Sequence, residues 1–123
     1  MKIPGFIARQ FYVDGSLRNT DRGFEMQAQN PMGDGVLVGV GPLRVDGRDI
    51  DPASVTAQRQ GDPAPLSASQ VDQEHPVSVS KGDRVTLHVA GPQLTPGQHQ
   101  LDVELVERSM GQLSFSISDT VAG

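Results

Sequence analysis

The sequence predicts an all-β fold: an antiparallel β-sandwich of about seven or eight strands with no significant helix, with residues 1–123 forming a single domain. Three observations predict it. Fourteen Gly and nine Pro punctuate 123 residues at short intervals. Apolar and polar residues alternate over several stretches, and no long run of Leu, Ala, Glu and Lys falls at helical spacing. A sheet with no helix to cover it must bury its apolar face against a second sheet, which makes a sandwich the economical solution.

The elements follow in order along the chain. In "GFEMQAQNP", Phe24, Met26 and Ala28 face one way and Glu25, Gln27 and Gln29 the other, the period of two of a half-buried strand. Asn30-Pro31 ends it and "MGDG" turns. The run "VLVGVGPLRV", residues 36–45, is apolar on both parities with Gly interruptions, which predicts a strand covered on both faces or bent by a bulge. Asp46-Gly47 then supplies the two positive-φ centres of a type I′ turn and closes a hairpin from Val45 into "RDI". Asp51-Pro52 breaks the pairing before "SVTAQ", and "QGDPAPLSASQ" reads as a long loop.

The second half alternates more cleanly. Val77 and Val79, then Val85, Leu87 and Val89, then Leu101, Val103 and Leu105 mark three antiparallel strands, with Lys81-Gly82 and Pro96-Gly97 as the turns between them. "QLSFSISDTV" closes the chain with Leu113, Phe115 and Ile117 inward.

Composition bounds the function. The chain has no Cys, so neither a disulfide framework nor a Cys-based metal site can form. Ten Lys and Arg, scattered singly against fifteen Asp and Glu, give a net charge of -5 and argue against a nucleic-acid partner, whose phosphates need a clustered basic footprint. "MKIPGFIARQFYV" lacks the apolar stretch of a signal peptide, and no apolar run approaches the roughly 20 residues of a bilayer span. The expectation is a soluble cytoplasmic protein with neither nucleic acid nor membrane as partner.

Chemistry has to be sought among the polar side chains. His75, His88 and His99 include no pair at the spacing that sets two imidazoles on one metal. His88 and His99 stay together as candidates, because neighbouring hairpin strands would bring them close. Asp46, Asp49, Asp102 and Glu104 fall on turns or solvent faces rather than across a cleft, as a glycosidase pair must. "SVSKGD" and "LVGVGP" lack the spacing of a phosphate loop, and Ser114 and Ser116 lack a nucleophile elbow. No catalytic, cofactor-binding or metal-ligating residue is assigned to the chain.

In order along the chain, "SLRNTDRGFEMQAQNP", "LRVDGRDIDPASV" and "VSKGDRVTLHVAGPQLTPGQHQLDVEL" together resemble the small, β subunit of bacterial C-glycoside deglycosidases, from about Val13 to about Glu107. The resemblance implies a division of labour. A larger TIM-barrel α subunit of the sugar-isomerase type would carry the catalytic base and a divalent metal, manganese or magnesium. The complex would cleave the carbon-carbon bond between a 3-keto sugar and an aromatic aglycone. The ketone would acidify the neighbouring C-H, so that a base of the α subunit could remove the proton and the aglycone leave by elimination, with the metal supplying charge stabilisation there. The chain would act as the accessory subunit of this carbon-carbon lyase, with no cofactor of its own, supporting assembly and the substrate entrance.

Where relatives carry aromatic residues after Asn30-Pro31, this chain has "MGDG". Asn30, Pro31, Met32 and Asp34 are therefore the expected partner or substrate-entrance loop. The alternative is a stand-alone carbohydrate-binding or structural sandwich. One Tyr, four Phe and no Trp supply few of the aromatic platforms such binders use.

Overall fold

A computed structural model describes residues 2–122 and shows two antiparallel sheets packed face to face. The first contains β1 (Arg18–Thr20), β2 (Gly23–Gln29), β8 (Arg84–Ala90), β5 (Val55–Arg59) and β6 (Leu66–Ser67), adjacent in that order. The second contains β10 (Gly111–Val121), β9 (Gly97–Glu107), β3 (Gly35–Val45) and β4 (Arg48–Ile50), with β7 (Val77–Val79) also paired to β3. The inward positions of both sheets form one core. Phe24, Met26, Val55 and Val89 of the first meet Val45, Leu101, Val103, Leu113, Phe115 and Ile117 of the second. The all-β sandwich is as the alternation predicts, with ten strands among the described residues because several are only two or three residues long.

The Asp46-Gly47 turn forms as expected. Asp46 has φ 53° and Gly47 φ 81°, and Val45 pairs with Arg48 across them. The doubly apolar run of β3 contains bulges: the register against β9 slips between Leu37 and Gly39 and again between Val40 and Leu43. Gly23 opens β2 with φ 150°, where a Cβ would run into the Val89 carbonyl of β8.

Two expectations need correction. "QGDPAPLSASQ" is not a plain loop, since it contains β6 and a 3-10 turn over Ala68–Gln70. The strands β7, β8 and β9 do not form a meander, because β7 and β9 lie in one sheet and β8 in the other. Lys81-Gly82 therefore sits in a crossover between sheets, and Pro96-Gly97 where a second crossover runs into β9, rather than in hairpin turns. Both faces of the core need strands of the same pattern, so local alternation fits either sheet.

A short helix, α1 (Gly5–Phe11), buries Ala8 and packs Ile7 and Phe11 against the core, with the Phe11 ring stacked on Phe115 at 6.3 Å. Seven residues cannot hold a helix by propensity alone, so packing supports this one. The segment closes one open side of the sandwich. Ile3 N–H donates to the Ser114 carbonyl of β10 (2.7 Å), and Val13 N–H donates to the Gln27 carbonyl of β2 (3.0 Å), one contact to each sheet. No helix among the described residues is long and apolar enough to cross a membrane.

Candidate functional site

The loop of residues 30–35 leads from β2 in one sheet to β3 in the other, and Asn30 holds its shape. Its side-chain amide donates to the Gly33 carbonyl (2.7 Å) and the Val79 carbonyl (3.3 Å), while its side-chain oxygen accepts from Met32 N–H (3.2 Å). Its backbone is tied to the neighbouring crossover, accepting from Gly82 N–H (2.7 Å) and donating to the Asp83 carbonyl (3.0 Å). Asp34 accepts from Lys81 N–H (3.3 Å). A short polar side chain that bonds its own loop is what favours Asn at such a bend. Met32 is left at the tip, 63% exposed.

A second loop meets the first. Glu107, at the end of β9, is buried and accepts from Val36 N–H (2.9 Å), Ser109 N–H (2.7 Å) and Met110 N–H (2.9 Å). These backbone hydrogen bonds, led by that from Val36, hold its carboxyl below the ordinary value. Fixing the turn this way leaves Met110 half exposed. Asp34 from one loop and Ser109 from the other line a shallow cleft of about 300 Å³, with Ser78, Ser80 and Arg108 on its walls. Of the expected loop residues, Asn30 is the internal brace, Asp34 lines the cleft and Met32 points to solvent; Pro31 makes no side-chain contact that defines the site.

A larger cleft, about 470 Å³, runs between α1 and β10, lined by Gly5, Phe6, Arg9, Gln100, Ser116 and Ser118. Phe6 is 74% exposed beside it.

The structure separates the histidine pair. His88 lies on β8 between Glu25 and Thr56, and His99 on β9 in the opposite sheet, so they are not neighbours. His88 Nε2 meets Thr20 Oγ1 at 2.9 Å, and His75 Nδ1 meets Asp72 at 3.0 Å on the surface. His99 is buried between Asp46 Oδ2 (Nδ1, 2.6 Å) and the Thr95 carbonyl (Nε2, 2.7 Å). A catalytic Asp-His pair leaves the far ring nitrogen free to reach a nucleophile, and here it is committed to a backbone carbonyl. Among the described residues, no group of three or more His, Asp or Glu is placed to hold a metal ion.

Asp119 is a residue the sequence reading passed over. It accepts from Tyr12 Oη–H (2.6 Å), Gly15 N–H (3.1 Å) and Leu17 N–H (3.2 Å), pinning the segment after α1 to β10. Burial works against its charge, and these bonds with that from Thr120 N–H outweigh it, holding the carboxyl below its ordinary range. Burial and the Asp119 bond push the Tyr12 phenol up, so it remains a neutral donor. The available signal was position. Asp119 continues the inward series Leu113, Phe115, Ile117, and Glu107 continues Leu101, Val103, Leu105, each a charge on a core face. The sequence groups His99 with His88 and Asp46 with Asp49, and a separation of 53 residues hides the pairing of His99 with Asp46.

Residues 7–122 match the model of the hydroxymethylglutaryl-CoA reductase N-terminal domain family. The chain belongs to this family. For this member of the hydroxymethylglutaryl-CoA reductase N-terminal domain family, the match takes in both sheets and α1 from its third residue on. No curated protein matches the chain. Among solved structures it is similar to a family 123 glycoside hydrolase from Clostridium perfringens, described in a study of glycolipid glycan hydrolysis. Identity is 11% and the TM-score 0.35, over 85% of this chain and 23% of that one, so the chain spans about a quarter of that structure's length.

Proposed function

We propose that this chain is an accessory β-sandwich that serves a separate catalytic unit, acting as the β subunit of a C-glycoside deglycosidase. The observation that carries the accessory reading is how the buried polar groups are used. His99, Glu107 and Asp119 are each committed to internal hydrogen bonds that brace loops. Of the three exposed large apolar side chains, Phe6, Met32 and Met110, the two methionines stand on braced loops that meet at one cleft. Flexible thioethers on a rigid frame suit an adaptable contact surface. The deglycosidase assignment rests on the ordered sequence elements from Val13 to Glu107. In it the divalent metal, the catalytic base and the 3-keto C-glycoside belong to the barrel α subunit, and the 30–35 loop sits near the substrate entrance.

A second reading is favoured by the family match: an accessory N-terminal module working beside a hydroxymethylglutaryl-CoA reductase catalytic domain. Both readings place the chemistry in another polypeptide region, and they differ in which one.

The test is coexpression. The chain, tagged, is produced with a sugar-isomerase-type barrel subunit and, separately, with a reductase catalytic domain, and each purified product is assayed for 3-keto C-glycoside cleavage and for hydroxymethylglutaryl-CoA reduction. A stable complex with deglycosidase turnover, absent from either chain alone, supports the first reading. Complex formation and reductase activity only with the second partner would replace it. Turnover by the isolated chain would overturn the accessory role. Replacing both Met32 and Asp34 with Gly is expected to weaken assembly or raise KM while the Tm of the isolated chain hardly moves. Replacing His88 and His99 with Ala in an intact complex is expected to leave the rate within about tenfold, roughly 1.4 kcal/mol in barrier.

A further inference from the structure

His99 faces two hydrogen-bond acceptors. Its Nδ1 lies 2.6 Å from Asp46 Oδ2 and its Nε2 lies 2.7 Å from the Thr95 carbonyl oxygen. A carbonyl has no proton to give. The Asp46 carboxylate has none either while ionised, and its other oxygen already accepts from Gln100 N–H (2.9 Å). Hydrogen bonds from Gln100 and His99 hold Asp46 below its ordinary value, which keeps it ionised. Both ring nitrogens must therefore donate, and only the imidazolium has two N–H groups.

These contacts join separate parts of the fold. Asp46 belongs to the β3–β4 turn, and Thr95 to the crossover of residues 91–96 that carries the chain from β8 in one sheet to β9 in the other. The earlier part of the crossover has its own tether. Asn19 of β1 exchanges two hydrogen bonds with the Leu94 backbone, both 2.8 Å, and the Gln93 side chain donates to the Thr20 carbonyl (2.7 Å). The Thr95 end depends on His99, whose side chain is 8% exposed.

We propose that His99 is a protonation latch: as an imidazolium it ties the Thr95 end of the 91–96 crossover to the β3–β4 turn, and loss of one proton releases that end. In the neutral ring one nitrogen carries a lone pair, which would then face an acceptor oxygen in a site largely shut to water.

The surroundings set the direction of the switch. Asp46 is the anion in contact, and Arg48 from β4 is the nearby cation opposing the charge. Asp119 lies opposite His99 on β10, with its carboxylate bonded to Tyr12, Gly15, Leu17 and Thr120. The Thr95 carbonyl first and Asp46 second raise the pKa of His99 above the ordinary 6.5, against burial. A raised value means that the latch is fully closed below pH 6.5 and opens as pH rises through the folded-state pKa. The proposal concerns this chain by itself and stands apart from the choice of catalytic partner.

Nitrogen-15 NMR of the imidazole rings in the whole chain tests it, with amide hydrogen exchange followed over the same pH series. Two protons on the His99 ring at pH 6 are expected, with a midpoint above the ordinary 6.5. The amides of Gln93, Leu94, Thr95 and Gln100 should shift with the same midpoint, with exchange of the Gln100 N–H, which Asp46 accepts, rising beyond what base catalysis alone gives. Asp46→Asn is expected to lower the His99 midpoint, and the wild-type titration stands as the test if that variant fails to fold. A single ring proton at pH 6 would overturn the proposal, as would a His99 titration that leaves the Thr95 and Gln100 amides unmoved.

Discussion

Asp119→Ala isolates the clasp that fixes the N-terminal segment across the open side of the sandwich. The substitution removes the acceptor for Tyr12 Oη–H, Gly15 N–H and Leu17 N–H, and the Asp119 bond to Thr120 N–H. The Gly15 and Thr120 bonds are exposed, so those amides turn to water at little cost. Tyr12 and Leu17 are buried residues, and each donor left without a partner costs about 1–3 kcal/mol. The sum centres on about 4 kcal/mol. Unfolding entropy of about 2.1 cal/mol/K per residue gives roughly 0.26 kcal/mol/K for 123 residues, so the Tm should fall by about 15 °C. Urea unfolding followed by circular dichroism measures the loss, with Tyr12→Phe and the double variant completing a cycle. Tyr12→Phe is expected to cost about 1 kcal/mol in the native background and close to nothing once Asp119 is gone. A fully additive cycle, or an Asp119→Ala protein within about 0.5 kcal/mol of the parent, would refute the clasp.

Other outcomes follow from the same structure. Leu101→Ala, at a side chain with no exposed surface, should cost about 3 kcal/mol in urea unfolding, and Leu87→Ala, only partly buried, clearly less. Gly47→Ala places a Cβ at φ 81° in the β3–β4 turn and should cost about 1 kcal/mol, read as a Tm drop of roughly 4 °C. The pH profile of stability has two flanks. Asp46, Glu107 and Asp119 are held below their ordinary values, so their contribution is present above 3.8 for the aspartates and 4.5 for Glu107, and is lost as pH falls through the folded-state values. His99 acts in the opposite sense, contributing fully below 6.5 and losing its part as pH rises. Thermal melts should therefore show greatest stability from these groups between pH 4.5 and 6.5, and His99→Gln should flatten the alkaline flank and, by removing one of the bonds that hold Asp46 down, reduce the Asp46 part of the acid flank.

Much of the strand content was legible in the chain because a strand writes its two-residue period into consecutive side chains. Phe24 and Met26, or Leu113, Phe115 and Ile117, must share a face wherever the strand goes. The Asp46-Gly47 hairpin was legible for the same reason, since its positive φ values are a local demand that few residues meet. The sheet that each strand joins was not legible. The valines of β7 and the Val-Leu-Val of β8 have the same pattern and lie in opposite sheets, because either inner face of a sandwich accepts it. The outcome for α1 was decided by the gap at the side of the sandwich that Ile7, Ala8 and Phe11 fill, too short a stretch to announce itself. The polar contacts depended on tertiary structure most of all. Asp46 with His99 and Tyr12 with Asp119 are 53 and 107 residues apart, and only the pairing of β3 with β9 and the docking of the N-terminal segment on β10 bring each donor to its acceptor. A charge on a core-facing position shows in the sequence that a partner is required, and the folded arrangement alone determines which residue it is.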